Sequence, residues 1–283
     1  MATRKLRDIE VSAIGMGCMG LSHGYGEIPD RDYSIEAIRK AYDYGCTFFD
    51  TAESYGPNLL PENRGHNEKI VGEAVHNFRN DVVLATKLHL NTEEVTQKGL
   101  ENVVREHLAA SLNRLQTDYA DIYYLHRINP DIPVEEAVIP YCISHNIGLV
   151  PFSPIASGFL SGKITAGSDF SHSDDVRKYV PQLRKENMEA NQPVLDLLES
   201  YAEKKNATKA QISLSWMLHK YPNVVPIPGS KNQDRILENL GAWNVVLSDE
   251  EFAALEKALE QIKVYGHRGF VEQQGSSMKN WNR

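Results

Sequence analysis

The stretch Phe48-Phe49-Asp50-Thr51-Ala52-Glu53-Ser54-Tyr55-Gly56 decides how this chain is read. An apolar run stops on a carboxylate, and a tyrosine and a glycine follow within a few residues. Such a run fits a strand over Cys46–Asp50, buried on both faces, that carries Asp50 to its C-terminal end and Tyr55 just beyond. The pattern recurs twice. Val82–Lys87 ends in Ala85-Thr86-Lys87, and Ala120–His126 ends in Tyr123-Tyr124-Leu125-His126-Arg127. Further strands are expected over Val11–Gly15, Gly148–Ser153 and Val224–Pro228, with Lys5–Ile14 forming a small hairpin ahead of the first.

Amphipathic helices separate these runs. Ile35, Ile38, Ala41 and Tyr42 share one face, and Gly45 supplies a stop. Ile70, Val71, Ala74, Val75 and Phe78 repeat the pattern. The clearest stripe runs from Leu100 to Leu115. Helices follow over Val194–Lys204 and Lys209–Lys220, and Ser248 with Glu251 forms a capping box for the last.

Strand–helix alternation allows either a closed barrel or a doubly wound open sheet. Alone, each strand-end residue has an ordinary explanation. Asp50 could cap, Tyr55 could pack in a loop, Lys87 could be solvated and His126 could be a core histidine. Together they place four titratable groups at the ends of three successive strands, and in a barrel those ends converge on one face. A barrel is therefore expected. Gly15-Met16-Gly17-Cys18-Met19-Gly20 matches a dinucleotide-binding fingerprint, but that motif needs a helix to start within it. The next helix starts near Asp30 or Asp32, so the glycines read as a tight turn at a strand end.

Composition fits one ordinary globular domain over residues 1–283: 41% hydrophobic and 24% charged residues. A net charge of -8 argues against nucleic-acid binding. No apolar window approaches the ~18 residues of a membrane span, and residues 1–10 lack a signal-peptide core. Cys18, Cys46 and Cys142 fit neither a disulfide framework nor a zinc site, so no metal is expected and a reduced, cytoplasmic setting is.

The strand-end residues suit carbonyl reduction. Tyr55 would give a proton to the developing alkoxide, although a free phenol is a weak acid with a pKa of ~10. A cationic Lys87 would favour the tyrosinate, and Asp50 would hold Lys87 charged. His126 would bind the substrate oxygen. The hydride must come from a cofactor.

Asp50, Tyr55, Lys87 and His126, in their local motifs and in this order, resemble the catalytic tetrad of the aldo-keto reductases, with similarity from about Arg4 to Val264. The resemblance implies a (β/α) TIM-type barrel, NADP(H) and a small-molecule carbonyl substrate. It also implies that Ser230, Lys231 and Arg235 hold the adenosine 2′-phosphate, where a helix start would add backbone N–H groups. Glu238 and Asn239 would meet the adenine. Phe152 would stack on the nicotinamide, and Ser153, Ile155, Gly158 and Leu160 would line the pyrophosphate. Cys18, Met19, Asp50 and Gly229 complete the expected cofactor contacts.

The family barrel has eight strands, and this chain offers six. The fourth helix, starting at Pro133-Val134-Glu135-Glu136-Ala137, runs into Val138-Ile139-Pro140-Tyr141-Cys142, which resembles the end of the sixth. A composite helix over Pro133–His145 could bridge the join, with Pro140 costing a hydrogen bond or a kink. The absent strands carry the family's Ser-Asn pair and Gln, which hold the nicotinamide carboxamide. Six strands cannot close with eight-strand geometry unchanged. A shortened or distorted barrel is expected, as a monomer or as a homo-oligomer joined through exposed strand edges. An NADP(H)-binding module with little turnover, or an inactive shortened family member, remains an alternative to a working reductase.

Overall fold

The computed structural model describes residues 1–57, 60–89, 92–126, 148–172 and 174–267. A hairpin comes first: β1 (Thr3–Leu6) pairs antiparallel with β2 (Ile9–Ser12). A parallel sheet follows in the order β3 (Met16–Gly17), β4 (Phe48–Asp50), β5 (Val83–Leu88) and β6 (Ile122–Leu125). Two short segments extend it on the β3 side. Gly229 bridges Gly17, and the chain around Val224–Ile227 bridges Leu149 and Phe152 in parallel. The spatial order is thus 149–152, 224–229, β3, β4, β5, β6, which accounts for the six expected strands.

The two ends of this sheet share an interior. Ile122 and Tyr124 of β6 pack on the same cluster as Val150, around Leu6, Val11, Phe48, Ala85, Val225 and Ile227. The sheet therefore curves round one core, as a barrel does, and the hairpin supplies Leu6 and Val11 as a plug. Among the described residues no ladder joins β6 to the 149–152 segment. The expected bridging helix over Pro133–His145, along with Arg127 and Cys142, lies outside the described residues.

Outside the sheet lie α1 (Arg31–Asp43), α2 (His66–Val75), α3 (Thr92–Lys98) and α4 (Leu100–Leu115). They are followed by α5 (Lys185–Ala190), α6 (Gln192–Lys205), α7 (Lys209–Lys220), α8 (Gln233–Leu240) and α9 (Asp249–Glu260). Asp30 caps α1 by accepting from Tyr33 N–H, Gly45 follows its end at φ 101°, and the Ser248–Glu251 capping box is formed. These ends were readable because each depends on local backbone chemistry.

Two expectations are corrected. The first barrel strand is Met16–Gly17, not Val11–Gly15, because Val11 and Ser12 belong to the hairpin. Of the glycines in the 15–20 run only Gly20 lies in the expected turn after β3, where Leu21 N–H donates to the Cys18 carbonyl, and none has a positive φ. Gly15 and Gly17 allow close approach instead. A Cβ on Gly17 would lie 2.8 Å from the Ile227 carbonyl oxygen, and one on Gly15 would lie 2.6 Å from the Phe48 ring.

Candidate active site

Lys87 sits at the centre of the strand-end cluster and is almost completely buried. Its ammonium donates to Asp50 Oδ1 at 2.5 Å, to the Thr51 carbonyl at 2.6 Å and to Tyr55 Oη at 3.3 Å. All three hydrogens of the ammonium thus have acceptors. Burial works against its charge, but Asp50 and then Tyr55 outweigh that, so its pKa lies above the ordinary lysine value. Asp50 is pushed up from the usual carboxylate range by burial, with Lys87 opposing.

The fourth strand-end residue joins them. The His126 ring meets the Tyr55 ring edge-on with centroids 5.4 Å apart, and its Nδ1 lies 3.3 Å from Ser54 Oγ. Two further imidazoles approach: His89 tilts against His126 at 4.3 Å, and His23 stacks on Tyr55 at 6.4 Å. The structure therefore assembles Asp50, Tyr55, Lys87 and His126, as the sequence order predicts.

A shell of buried polar residues, which sequence reading missed, surrounds the cluster. Asn67 donates to the Cys18 carbonyl and to Ser22 Oγ, and accepts from Thr51 Oγ1 at 2.6 Å. Glu68 binds Arg114 and Thr86, and Glu53 binds Arg64, His107 and the backbone of His89. The available signal was weak: Glu53 lies inside the decisive motif, and Asn67-Glu68 opens a helix where charged residues are unremarkable.

The expected cofactor residues form a second region. Lys231 donates to the carbonyls of Tyr25 at 2.8 Å and Glu27 at 2.5 Å, leaving one ammonium hydrogen for an anion. The backbone N–H groups at the start of α8 are less available than the sequence suggests. Those of Asn232, Gln233 and Arg235 are taken by Ser230 Oγ, Tyr33 Oη and Asn232 Oδ1. An anion there would meet Ser230 and the cations Lys231 and Arg235 rather than a row of open N–H groups. Glu238 is bound to Lys163 and Thr208, and Asn239 is buried. Cys18 is fully buried, its N–H bonded to Asp50 and its carbonyl to Asn67, so the structure does not bring it to a ligand surface. Met19, by contrast, is half-buried at the start of a short turn.

Phe152 is 62% exposed, an aromatic platform at a strand end. After it, Ser153, Ala156 and Ser157 all have positive φ between 46° and 54°, and Gly158 has φ 100°. Non-glycine residues in that region cost about 1 kcal/mol or more each and concentrate at ligand-binding segments. This is the run expected to line the pyrophosphate, along with buried Ile155 and half-buried Leu160. A cavity of about 260 Å³ behind it, lined by Phe159, Ile164, Met188, Leu195 and Lys209, contains none of the tetrad.

Among the described residues no group of three His, Cys, Asp or Glu side chains is placed to hold a metal, and no helix is long and apolar enough to cross a membrane.

The Aldo/keto reductase family matches over residues 13–138 and 134–260. This chain belongs to that family. The two matched stretches meet at 134–138, within the segment where the sequence indicates missing strands. The chain is 29% identical to probable aldo-keto reductase 1 of Glycine max, covering 92% of this chain and 88% of the relative. It is 30% identical to aldo-keto reductase yakc [NADP(+)] of Schizosaccharomyces pombe, covering 94% of each. These alignments span 315 and 328 positions, more than the 283 residues of this chain, so the relatives have residues with no counterpart here. The fold matches the glycerol dehydrogenase AKR11B4 from Gluconobacter oxydans, with a TM-score of 0.75, 22% identity and coverage of 93% and 97%.

Proposed function

We propose that this chain is an NADPH-dependent reductase that converts aldehydes or ketones to alcohols. The observation that carries this reading is the buried Asp50–Lys87–Tyr55 chain, with His126 against the tyrosine ring.

The residues on the cofactor side fit NADP(H). Asp50 Oδ2 is buried and lacks a hydrogen-bond partner among the described residues, so a hydroxyl donor such as a ribose would satisfy it. Ser230, Lys231 and Arg235 would take the 2′-phosphate, Ser153, Gly158 and Leu160 the pyrophosphate, and Phe152 the nicotinamide face. Glu238 and Asn239 stand on the adenine side, and Met19 and Gly229 border the groove. The family relative from Schizosaccharomyces pombe, which carries NADP(+) in its name, supports the choice of cofactor.

When bound, NADPH supplies the hydride. Tyr55 donates its proton to the alkoxide oxygen as negative charge develops there. Lys87, hydrogen-bonded to the same phenol oxygen, stabilises the phenolate left behind, and Asp50 neutralises Lys87 in a site closed to water. His126, with Nδ1 turned to Ser54, offers Nε2 to the carbonyl oxygen and fixes the angle of attack.

Wild-type protein mixed with an aromatic aldehyde should consume NADPH, followed by its near-ultraviolet absorbance; no consumption over a panel of aldehydes and ketones would sink the reading. A second reading is an NADP(H)-binding protein with little turnover. It is favoured by the relatives' additional residues, since the missing strands would have carried the carboxamide ligands. Quenching of Trp216 or Trp243 fluorescence by NADPH without turnover would select it. We also propose that the shortened barrel is either monomeric or paired through the edges of β6 and the 149–152 segment. Light scattering across a concentration series distinguishes these.

A further inference from the structure

We propose that Glu53 is a positioning residue of the reductase, fixing the Tyr55 loop against the end of β5 through a buried carboxylate bound by Arg64, His107 and the His89 backbone N–H. The proposal rests on the reductase reading above.

Glu53 is 1% exposed, far more buried than a glutamate in a surface loop would be. Its carboxylate accepts from Arg64 at 3.1 Å, from the His89 backbone N–H at 3.0 Å and from His107 Nδ1 at 2.9 Å. Its backbone is also committed: its N–H donates to the Lys87 carbonyl, and its carbonyl accepts from Gly65 N–H. One residue thus joins the segment two positions before Tyr55 to residues 87 and 89. The relative placement of the Tyr55 oxygen and the Lys87 ammonium, 3.3 Å apart, is set across this joint. Displacements of about 1 Å in such a geometry cost of the order of a hundredfold in rate.

His107 Nδ1 faces Glu53 and its Nε2 faces Glu94 Oε2 at 3.3 Å. His107 on α4 thus ties the Glu53 carboxylate to Glu94 on α3. The groups around this centre are Arg64 ahead of α2, His107 on α4, Glu94 with Lys98 on α3, and Tyr123 on β6 with Glu68 and Arg114 beyond it. The Tyr123 phenol is pushed upward by burial first and by the Glu53 charge next. A buried carboxylate held from three directions, by Arg64, by His107 and by a backbone N–H, is well suited to fix a loop.

The test compares Glu53→Gln with wild type. The amide keeps the shape but brings its own donors towards Arg64 and His107. The expected result is a fall in kcat of about ten- to hundredfold, with NADPH affinity by fluorescence titration within twofold and an unchanged circular dichroism spectrum. A fall in kcat with NADPH affinity retained separates a positioning role from a general loss of structure, which would lower both. If Glu53→Gln does not fold, His107→Gln replaces it. That variant keeps a single donor to Glu53, so it should lose less kcat than His107→Phe, which keeps none. A folded Glu53→Gln protein with wild-type kcat, or equal kcat in the two His107 variants, would overturn the proposal. Wild-type protein that reduces no carbonyl would overturn the reductase reading and this role with it, a result distinct from normal wild-type turnover with an unaffected variant.

Discussion

The arc of β4 and β5 and the arc formed by β6 and the 148–153 segment belong to one sheet but are built differently. Phe48–Asp50 and Leu84–Leu88 are buried at every position, and their polar groups are tied into Lys87, Glu53, Asn67 and Glu68. Ile122–Tyr124 and Gly148–Pro151 are only half-buried, and Phe152 is mostly exposed. The first arc holds the groups proposed to handle the proton, and the second presents the proposed platform for a flat ring. Proton chemistry needs charges held in a low-dielectric interior with every partner supplied. A stacking surface needs only to be reachable. On the proposed reading, a barrel shortened beside the second arc would leave the acid–base apparatus intact and weaken the seat of the cofactor ring.

That contrast can be attacked most strongly at Tyr55. Tyr55→Phe should lower kcat by about two to four orders of magnitude while leaving NADPH binding nearly unchanged; steady-state kinetics with a fluorescence titration decide. Equal losses in both would mean that the two arcs are not separable.

Next in size is Asp50→Asn, which leaves Lys87 buried without its counter-charge. A loss of about 3–5 kcal/mol is expected in urea unfolding. The pH dependence has a definite sign. Because the Lys87 pKa is raised in the folded protein, its stabilising contribution is complete below the ordinary value of 10.5 and is lost as pH rises through the higher folded value. The stability gap between wild type and Lys87→Met should hold from neutral pH to about 10.5 and then narrow.

Lys231→Ala probes the far end of the proposed cofactor site. Loss of one charge-assisted bond, about 1.5–3 kcal/mol, should weaken NADPH by roughly ten- to hundredfold while changing NADH little. Equal effects on both cofactors would remove Lys231 from the 2′-phosphate. The smallest expected change is the stability of Phe152→Ala, within about 0.5 kcal/mol of wild type by thermal melting, because the ring is exposed. A large loss there would show the second arc to be as tightly built as the first.

What the sequence made legible followed the same division. Asp50, Tyr55, Lys87 and His126 could be read because three of them close apolar runs and Tyr55 follows one closely, and strand ends converge in a barrel whatever the loops do. Helix limits such as Asp30, Gly45 and Ser248 could be read because capping is local. Val11 was read into both the hairpin and the first barrel strand because the expected ranges Lys5–Ile14 and Val11–Gly15 overlap there, and the structure keeps it in the hairpin. The Glu53–His107 and Glu68–Arg114 pairs were invisible because their partners lie 54 and 46 residues apart and no local pattern marks them. The start of α8 was read as an open anion site because the sequence does not reveal that Tyr33, from another helix, already fills it.

The hairpin has a consequence for how the molecule assembles. Arg4 donates to the carbonyls of Tyr221 and Val224 at 2.7 and 2.8 Å, and also to that of Leu218, more than two hundred residues away. Contacts of such sequence separation form late, because a long loop must close before they stabilise anything. During synthesis the plug beneath the sheet is thus among the first parts made and among the last secured, and the nascent chain must stay uncommitted until the seventh helix has left the ribosome.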